Sequence, residues 1–153
     1  MKRIQTLVAC LVVTGASLAA LAATPLAAQG ATVEVRSTER GEILVNEAGF
    51  TLYMFTADKK HQDHCINIES MGVKCSTVWP PLLVTGMPTV GEGLKSKWVS
   101  TTTLPGGEKQ VTFKKKPLYT YTGNTMPGQT YYIGVIAFGG YWYGLKAKGM
   151  AVR

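Results

Sequence analysis

An all-β domain is predicted by three features of this 153-residue chain. A short motif occurs twice, short runs are rich in β-branched and aromatic residues, and seventeen glycines and seven prolines supply turns between those runs. The motif is Leu52-Tyr53-Met54-Phe55-Thr56-Ala57-Asp58, and more loosely Leu118-Tyr119-Thr120-Tyr121-Thr122-Gly123-Asn124. Laid over each other, residues 43–58 and 109–124 also match at Val45 with Val111, and each copy is followed by a tryptophan, Trp79 and Trp142. Such self-similarity means that two equivalent units build one core. The expected architecture is a small sandwich or barrel-like domain of two degenerate β-meander repeats, copies about 41–84 and 107–146, preceded by a cleaved signal peptide.

The elements follow in chain order. Met1-Lys2-Arg3 makes a basic start, residues 7–23 are apolar or small, and no acidic residue precedes Glu34. That is the pattern of a secretory leader. Ala20-Leu21-Ala22 and Leu26-Ala27-Ala28 both offer cleavage sites, and cleavage after Ala28 would leave residues 29–153 as one domain without a transmembrane span. Leu7-Val8-Ala9-Cys10 looks like a lipidation signal, but Cys10 stands near the start of the apolar run rather than after it, so lipidation there is not expected.

Strands are expected at 32–36, 43–45, 51–56, 97–103, 109–113, 118–122 and 141–145, and no stretch suits a long amphipathic helix. Asn46-Glu47-Ala48-Gly49 and Leu104-Pro105-Gly106-Gly107 suit hairpin turns, and Lys114-Lys115-Lys116 suits a solvated connection in the second copy. Alternation along a strand sends Leu52 and Met54 to one face and Tyr53 and Phe55 to the other, so this strand should be covered on both sides. Tyr119 and Tyr121 share one face in the second copy. The two aromatic pairs are expected to meet in the centre of the domain. Trp79-Pro80-Pro81-Leu82 reads as a rigid extended segment closing the core over a sheet edge.

Cys65 and Cys75 both remain after cleavage, and two cysteines in an exported chain are expected to form a disulfide, stabilising by roughly 2 to 3 kcal/mol. Asp58 is expected to fix a turn by accepting neighbouring backbone amides, and Asn124 could do the same without charge. The second copy therefore lacks the carboxylate that an acid–base pair built on these two positions would need. His61, Asp63, His64, Cys65, Met71 and Cys75 lie on one loop, and His61 with His64 is a His-x-x-His spacing able to offer two imidazoles to copper.

The pattern Tyr53, Phe55, Asp58, then Cys65, Cys75 and Trp79 to Leu82, followed by Gln110 to Phe113 and Pro117 to Tyr119, resembles a family of secreted bacterial repeat proteins and predicted lipoproteins with a Tyr-x-aromatic-x-x-Asp motif. The resemblance covers roughly residues 41–145. It implies a repeat-built exported protein and no agreed molecular activity. It also implies cysteines only a few residues apart, which makes residues 66–72 look like an insertion, and it calls for neither histidine.

No nucleophile elbow, phosphate loop, zinc-protease helix or Cys-x-x-Cys pair is present, so an enzyme is not expected. Removing Lys2 and Arg3 takes the formal charge from +7 to +5, concentrated at Lys59-Lys60, Lys95, Lys97 and Lys114 to Lys116. Such a balance favours acidic envelope polymers or another envelope protein, and export argues against nucleic acid. The reading is a periplasmic or secreted non-catalytic binding module without a cofactor. A copper-binding or redox-associated protein using His61, His64 and Met71, and a structural accessory that binds a partner protein, are the alternatives. A surface cluster of Trp79, Trp98 and Trp142 would point to carbohydrate.

Overall fold

Each copy opens with a hairpin whose second strand runs into the motif. The computed structural model describes residues 32–153. The leader assigned to residues 1–28, with Cys10, lies outside them. In the first copy β1 (Glu34–Thr38) pairs antiparallel with β2 (Gly41–Val45). The loop Glu47-Ala48-Gly49 then returns the chain toward β3 (Tyr53–Phe55). Gly49 takes φ +82°, the left-handed position that ends such a loop, and Asn46 Oδ1 accepts the Phe50 N–H at 2.9 Å.

The expected insertion is a small hairpin, β4 (Glu69–Ser70) with β5 (Val73–Lys74), ahead of the one-turn helix α1 (Cys75–Val78). The Cys65–Cys75 disulfide closes its base. β6 (Leu83–Val84) follows the Pro80-Pro81 segment, and a 3-10 turn at Ser96–Trp98 leads into β7 (Val99–Thr103). The strand expected to begin at Lys97 thus begins two residues later. β7 and β8 (Lys109–Phe113) form the hairpin predicted around Pro105-Gly106-Gly107, with Leu104 N–H donating to Glu108 O at 2.9 Å.

β8 turns directly into β9 (Lys116–Pro117) through Lys114 and Lys115, both at positive φ, +47° and +71°. Two left-handed residues in succession make a tight hairpin, a position that ordinarily takes Asn-Gly. The Lys114 to Lys116 run was expected to be fully solvated, yet Lys114 and Lys116 are half-buried because this turn pairs one and folds the other back on the protein. β10 (Val135–Ala137), β11 (Gly140–Leu145) and β12 (Ala151–Val152) complete the chain.

Eight of these strands form two four-stranded antiparallel sheets, and β1–β2 and β4–β5 stay two-stranded. In one, β3 lies along one side of β11, and β10 and β12 along the other. In the other, β7 lies along one side of β8, and β6 and β9 along the other. Both sheets stay open among the described residues, which makes the domain sandwich-like rather than a barrel.

The expected strand at 118–122 does not form as a ladder. Tyr119 makes isolated bridges to Tyr53 on one side and Pro81 on the other, stitching the two sheets together. Pro80 and Pro81 have no N–H to extend the pairing, so the contact stays one residue long.

The repeat register also differs from the sequence match. Leu52 N–H donates to Leu44 O and Leu118 N–H to Val111 O, each at 3.0 Å, so Leu44 and not Val45 is the counterpart of Val111. The connection within the first copy is one residue longer, which slips the pairing upstream of the motif.

Alternation along β3 divides the apolar interior as expected. Leu52 and Met54 face a cluster with Leu44, Val99, Val111, Phe113, Leu118 and Leu145. Tyr53 and Phe55 face a second cluster with Ile43, Val45, the disulfide, Trp79, Tyr119 and Trp142.

Candidate functional site

The motif residues converge in that second cluster, and they do so by exchange between copies. Trp79 and Trp142 stack at its centre, ring centroids 4.0 Å apart and 3° from parallel. Each tryptophan takes the motif tyrosine of its own copy edge-on: Tyr53 meets Trp79 and Tyr119 meets Trp142, both at 5.1 Å. Each also takes the second aromatic of the other copy. Phe55 stacks on Trp142 at 4.3 Å and Tyr121 lies on Trp79 at 4.2 Å. The aromatic pairs thus meet through the two tryptophans, a local two-fold arrangement in which offset and edge-on contacts add to the burial of large rings.

The last motif position follows the same exchange. Tyr119 Oη donates to Asp58 Oδ2 at 2.9 Å, and Asn124 Nδ2 donates to Tyr53 Oη at 3.1 Å. The acid or amide of one copy therefore holds the tyrosine hydroxyl of the other. Asp58 was expected to accept neighbouring amides; its other oxygen instead accepts the His64 N–H at 2.8 Å, six residues on, because the carboxylate is turned inward toward Tyr119. Backbone pairing between Tyr53 and Tyr119, with N···O distances of 2.9 and 3.0 Å, fixes the exchange.

Burial pushes the Asp58 carboxyl up from its usual 3.8 to about 7, against the lowering effect of its hydrogen bonds. Burial likewise raises the Tyr53 hydroxyl to about 12 and drives the Tyr119 hydroxyl far above the usual phenol range, with the neighbouring carboxyls adding to the latter. Both hydroxyls stay protonated and act as fixed hydrogen-bond partners, not as acids.

Two further polar residues join this centre. Asp63 also lies against Tyr119 and Gln110, and its carboxyl is raised, chiefly by burial. Asp63 Oδ1 accepts the Ile66 N–H at 2.8 Å, whereas Asp63 Oδ2 and Gln110 Oε1 are buried acceptors without a partner. Sequence reasoning counted Asp63 only as a loop acid and Gln110 only as part of the repeat pattern; the inward position of Gln110 on the strand at 109–113 was the available signal for its place here. The second motif position carries an amide, as expected, while Asp63 from the loop after Asp58 adds a second carboxyl near Tyr119 whose charge helps to raise Asp58.

The remaining candidates sit at the rim. A cleft of about 400 Å3 runs between His61, Asp63 and His64 on one wall and Thr102 to Pro105 on the other. His61 takes φ +57°, its N–H donating to Lys115 O at 2.8 Å and its carbonyl accepting the Thr102 hydroxyl at 2.6 Å. Both thiols of the loop are in the disulfide, and Met71 stands almost fully exposed at the hairpin tip. A copper ion would thus find two imidazoles and no soft sulfur beside them. Among the described residues no three His, Cys, Asp or Glu side chains are grouped to hold a metal ion.

The carbohydrate platform considered for Trp79, Trp98 and Trp142 is absent, because Trp79 and Trp142 are buried. Exposed stacking is offered instead by Tyr141 and Tyr143, 5.4 Å apart on the outer face of β11. No described helix is long and apolar enough to cross a membrane.

Residues 34–83, which contain the first motif, the disulfide and the Trp79-Pro80-Pro81 segment, match the family described as a secreted repeat of unknown function. That is the family the motif resembles, and its description as secreted supports an exported module. No curated protein and no solved structure matches it.

Proposed function

We propose that the protein is a non-catalytic envelope or extracellular binding module whose repeat motif builds the scaffold and whose ligand is met by its surface. One observation carries this reading. Every chemically capable motif side chain (Tyr53, Asp58, Tyr119 and Asn124) is committed to a hydrogen bond with the other copy. The two tyrosine hydroxyls held in this way do not ionise near neutrality and are poorly suited to proton transfer or nucleophilic attack, and both oxygens of Asp58 are taken, by the Tyr119 hydroxyl and the His64 N–H. The thiols are bonded to each other, which removes them as nucleophiles. Binding at the surface, in the periplasm or beyond it, is what such a scaffold leaves open.

A second reading, docking of an extended segment from a partner protein, draws on β7. Among the described residues this strand ends its sheet with one neighbour, and its far end borders the cleft of about 400 Å3. An unpaired edge beside a slot suits strand addition.

The test is a binding screen of the mature domain on defined immobilised polymers: peptidoglycan, a neutral polysaccharide and an acidic polysaccharide. Saturable retention on one of them, with the polymer recovered chemically intact, is the expected result. Release of soluble fragments would turn the reading toward catalysis, and no retention on any polymer would overturn it in favour of the partner-protein reading.

A further inference from the structure

Lysines that are far apart in the chain are gathered around Trp98. Lys114 Nζ lies 4.2 Å from the centre of the Trp98 ring and Lys95 Nζ 5.7 Å from it. Backbone contacts hold the arrangement together: Lys114 N–H donates to Trp98 O at 2.6 Å, and Lys114 Nζ donates to Lys148 O, also at 2.6 Å. Lys116 Nζ reaches Gly149 O at 3.5 Å. Gly149 is required here, since a Cβ at that position would stand 2.7 Å from the Lys114 stem. The turn at 146–150 is itself closed by Gly149 N–H to Lys146 O and Lys146 N–H to Met150 O.

The tight turn at Lys114-Lys115, with both residues in the left-handed region, is what folds Lys114 over the ring and Gly149. His61 N–H, bonded to Lys115 O, adds the Lys59-Lys60 loop to the same neighbourhood. Four segments, at 59–60, 95–97, 114–116 and 146–148, are thereby brought to one region, whereas Lys74 and Lys109 belong to none of them. Like charges repel, and a fold that draws them together around an aromatic anchor makes a field of one sign well suited to a multiply charged ligand.

We propose that this lysine face around Trp98 is the binding surface for an acidic envelope polymer, one that carries a phosphate, sulfate or carboxylate on most of its repeat units. The proposal rests on the binding-module reading above and names its ligand class. A polymer is favoured over a membrane surface because the anchor ring does not project: Trp98 packs against Phe113 with centroids 6.0 Å apart and is covered by Lys114, so the ring is not free to enter a lipid layer. Several lysines spaced over one face match a chain of repeating anions better than one small ligand. Their attraction is additive along the polymer and is screened by salt.

The experiment uses the mature exported chain, with dextran sulfate as the probe and unmodified dextran as its uncharged twin. Saturable binding to the sulfated polymer alone is expected, weakening steeply as salt is raised. The exposed triple variant Lys95→Gln, Lys97→Gln and Lys148→Gln should bind roughly tenfold more weakly. The control triple Lys74→Gln, Lys109→Gln and Arg40→Gln removes the same charge elsewhere and should change affinity less than about twofold. Melting curves verify that both triples fold.

Equal losses from the two triples would overturn the proposal, leaving only the field of the net charge. So would tighter binding to phosphatidylglycerol vesicles than to dextran sulfate, or no binding to dextran sulfate at all. If that last result accompanied retention on a neutral polymer in the earlier screen, the lysine face would fall while the binding-module reading stood. Failure of both would remove both.

Discussion

The two copies of the motif occupy equivalent places and solve the same problem with different chemistry. In the first copy a carboxyl, Asp58, holds the partner tyrosine; in the second an amide, Asn124, does so. The tryptophans differ too: Trp142 Nε1 donates to Ala137 O at 3.3 Å, whereas Trp79 Nε1 is buried without a partner. Geometry is shared while charge and satisfaction are not, so a repeat constrains shape more tightly than it constrains polar detail. The first copy also carries the disulfide and its hairpin, which the second lacks.

The largest expected effect comes from breaking what the copies share. Trp142 touches Phe55, Trp79 and Tyr119, so Trp142→Ala should cost about 3–5 kcal/mol, read by urea unfolding. Phenylalanine sharpens the contrast. Trp142→Phe gives up an indole hydrogen bond and Trp79→Phe removes an unpaired donor, so the second should be clearly the milder. Equal costs would mean that ring volume alone matters at both positions.

Next is the feature confined to one copy. The paired change Cys65→Ser with Cys75→Ser should lower stability by roughly 2–3 kcal/mol, and reduction of the native protein should lower its melting temperature in parallel. Loss of the first copy's loop alone, with the second copy's amides still protected from hydrogen exchange, would show that the bridge acts locally.

Exchanging the acid and the amide tests the charge difference directly. Asp58 has a folded pKa of about 7 against a usual 3.8, so the folded state binds the proton more tightly than the unfolded chain. Its contribution is therefore fully present below about pH 4 and is lost as pH rises through about 7, and the raised Asp63 acts in the same direction. Stability should fall between those values. Asp58→Asn should flatten much of that slope and leave the part due to Asp63. Asn124→Asp places a second acid where the residue is buried, and should cost about 1–3 kcal/mol at neutral pH with recovery in mild acid. A native protein whose stability does not change between pH 4 and pH 8 would contradict the assignment.

The smallest effect separates the two loops. Lys115 is exposed at φ +71°, where the first copy's loop uses Gly49. Lys115→Gly should raise stability by about 0.5–1 kcal/mol, seen as a small rise in melting temperature, because glycine relieves the left-handed strain.

Much of the local structure was legible beforehand. The strand at 109–113 was placed to the residue, and alternation along the first motif correctly split Leu52 from Tyr53 between two apolar clusters. These are consequences of strand geometry, which acts over a few residues. The strand assigned to 118–122 failed because one of its two neighbours is the Pro80-Pro81 segment, and pairing depends on both partners. Six strands, at 69–70, 73–74, 83–84, 116–117, 135–137 and 151–152, were missed because each is only two or three residues long and too short to show alternation.

Within the candidate site, the sequence by itself determined that two copies of one motif exist, that their aromatic residues are core and that two cysteines are available to pair. All three follow from residue type and local order. Only the tertiary structure decided that the acid of one copy serves the tyrosine of the other, that Asp63 and Gln110 join that centre, and that Lys95 and Lys114 come together over Trp98. Those are contacts between residues tens of positions apart, and their partners are chosen by how the sheets pack, which no local pattern of side chains encodes.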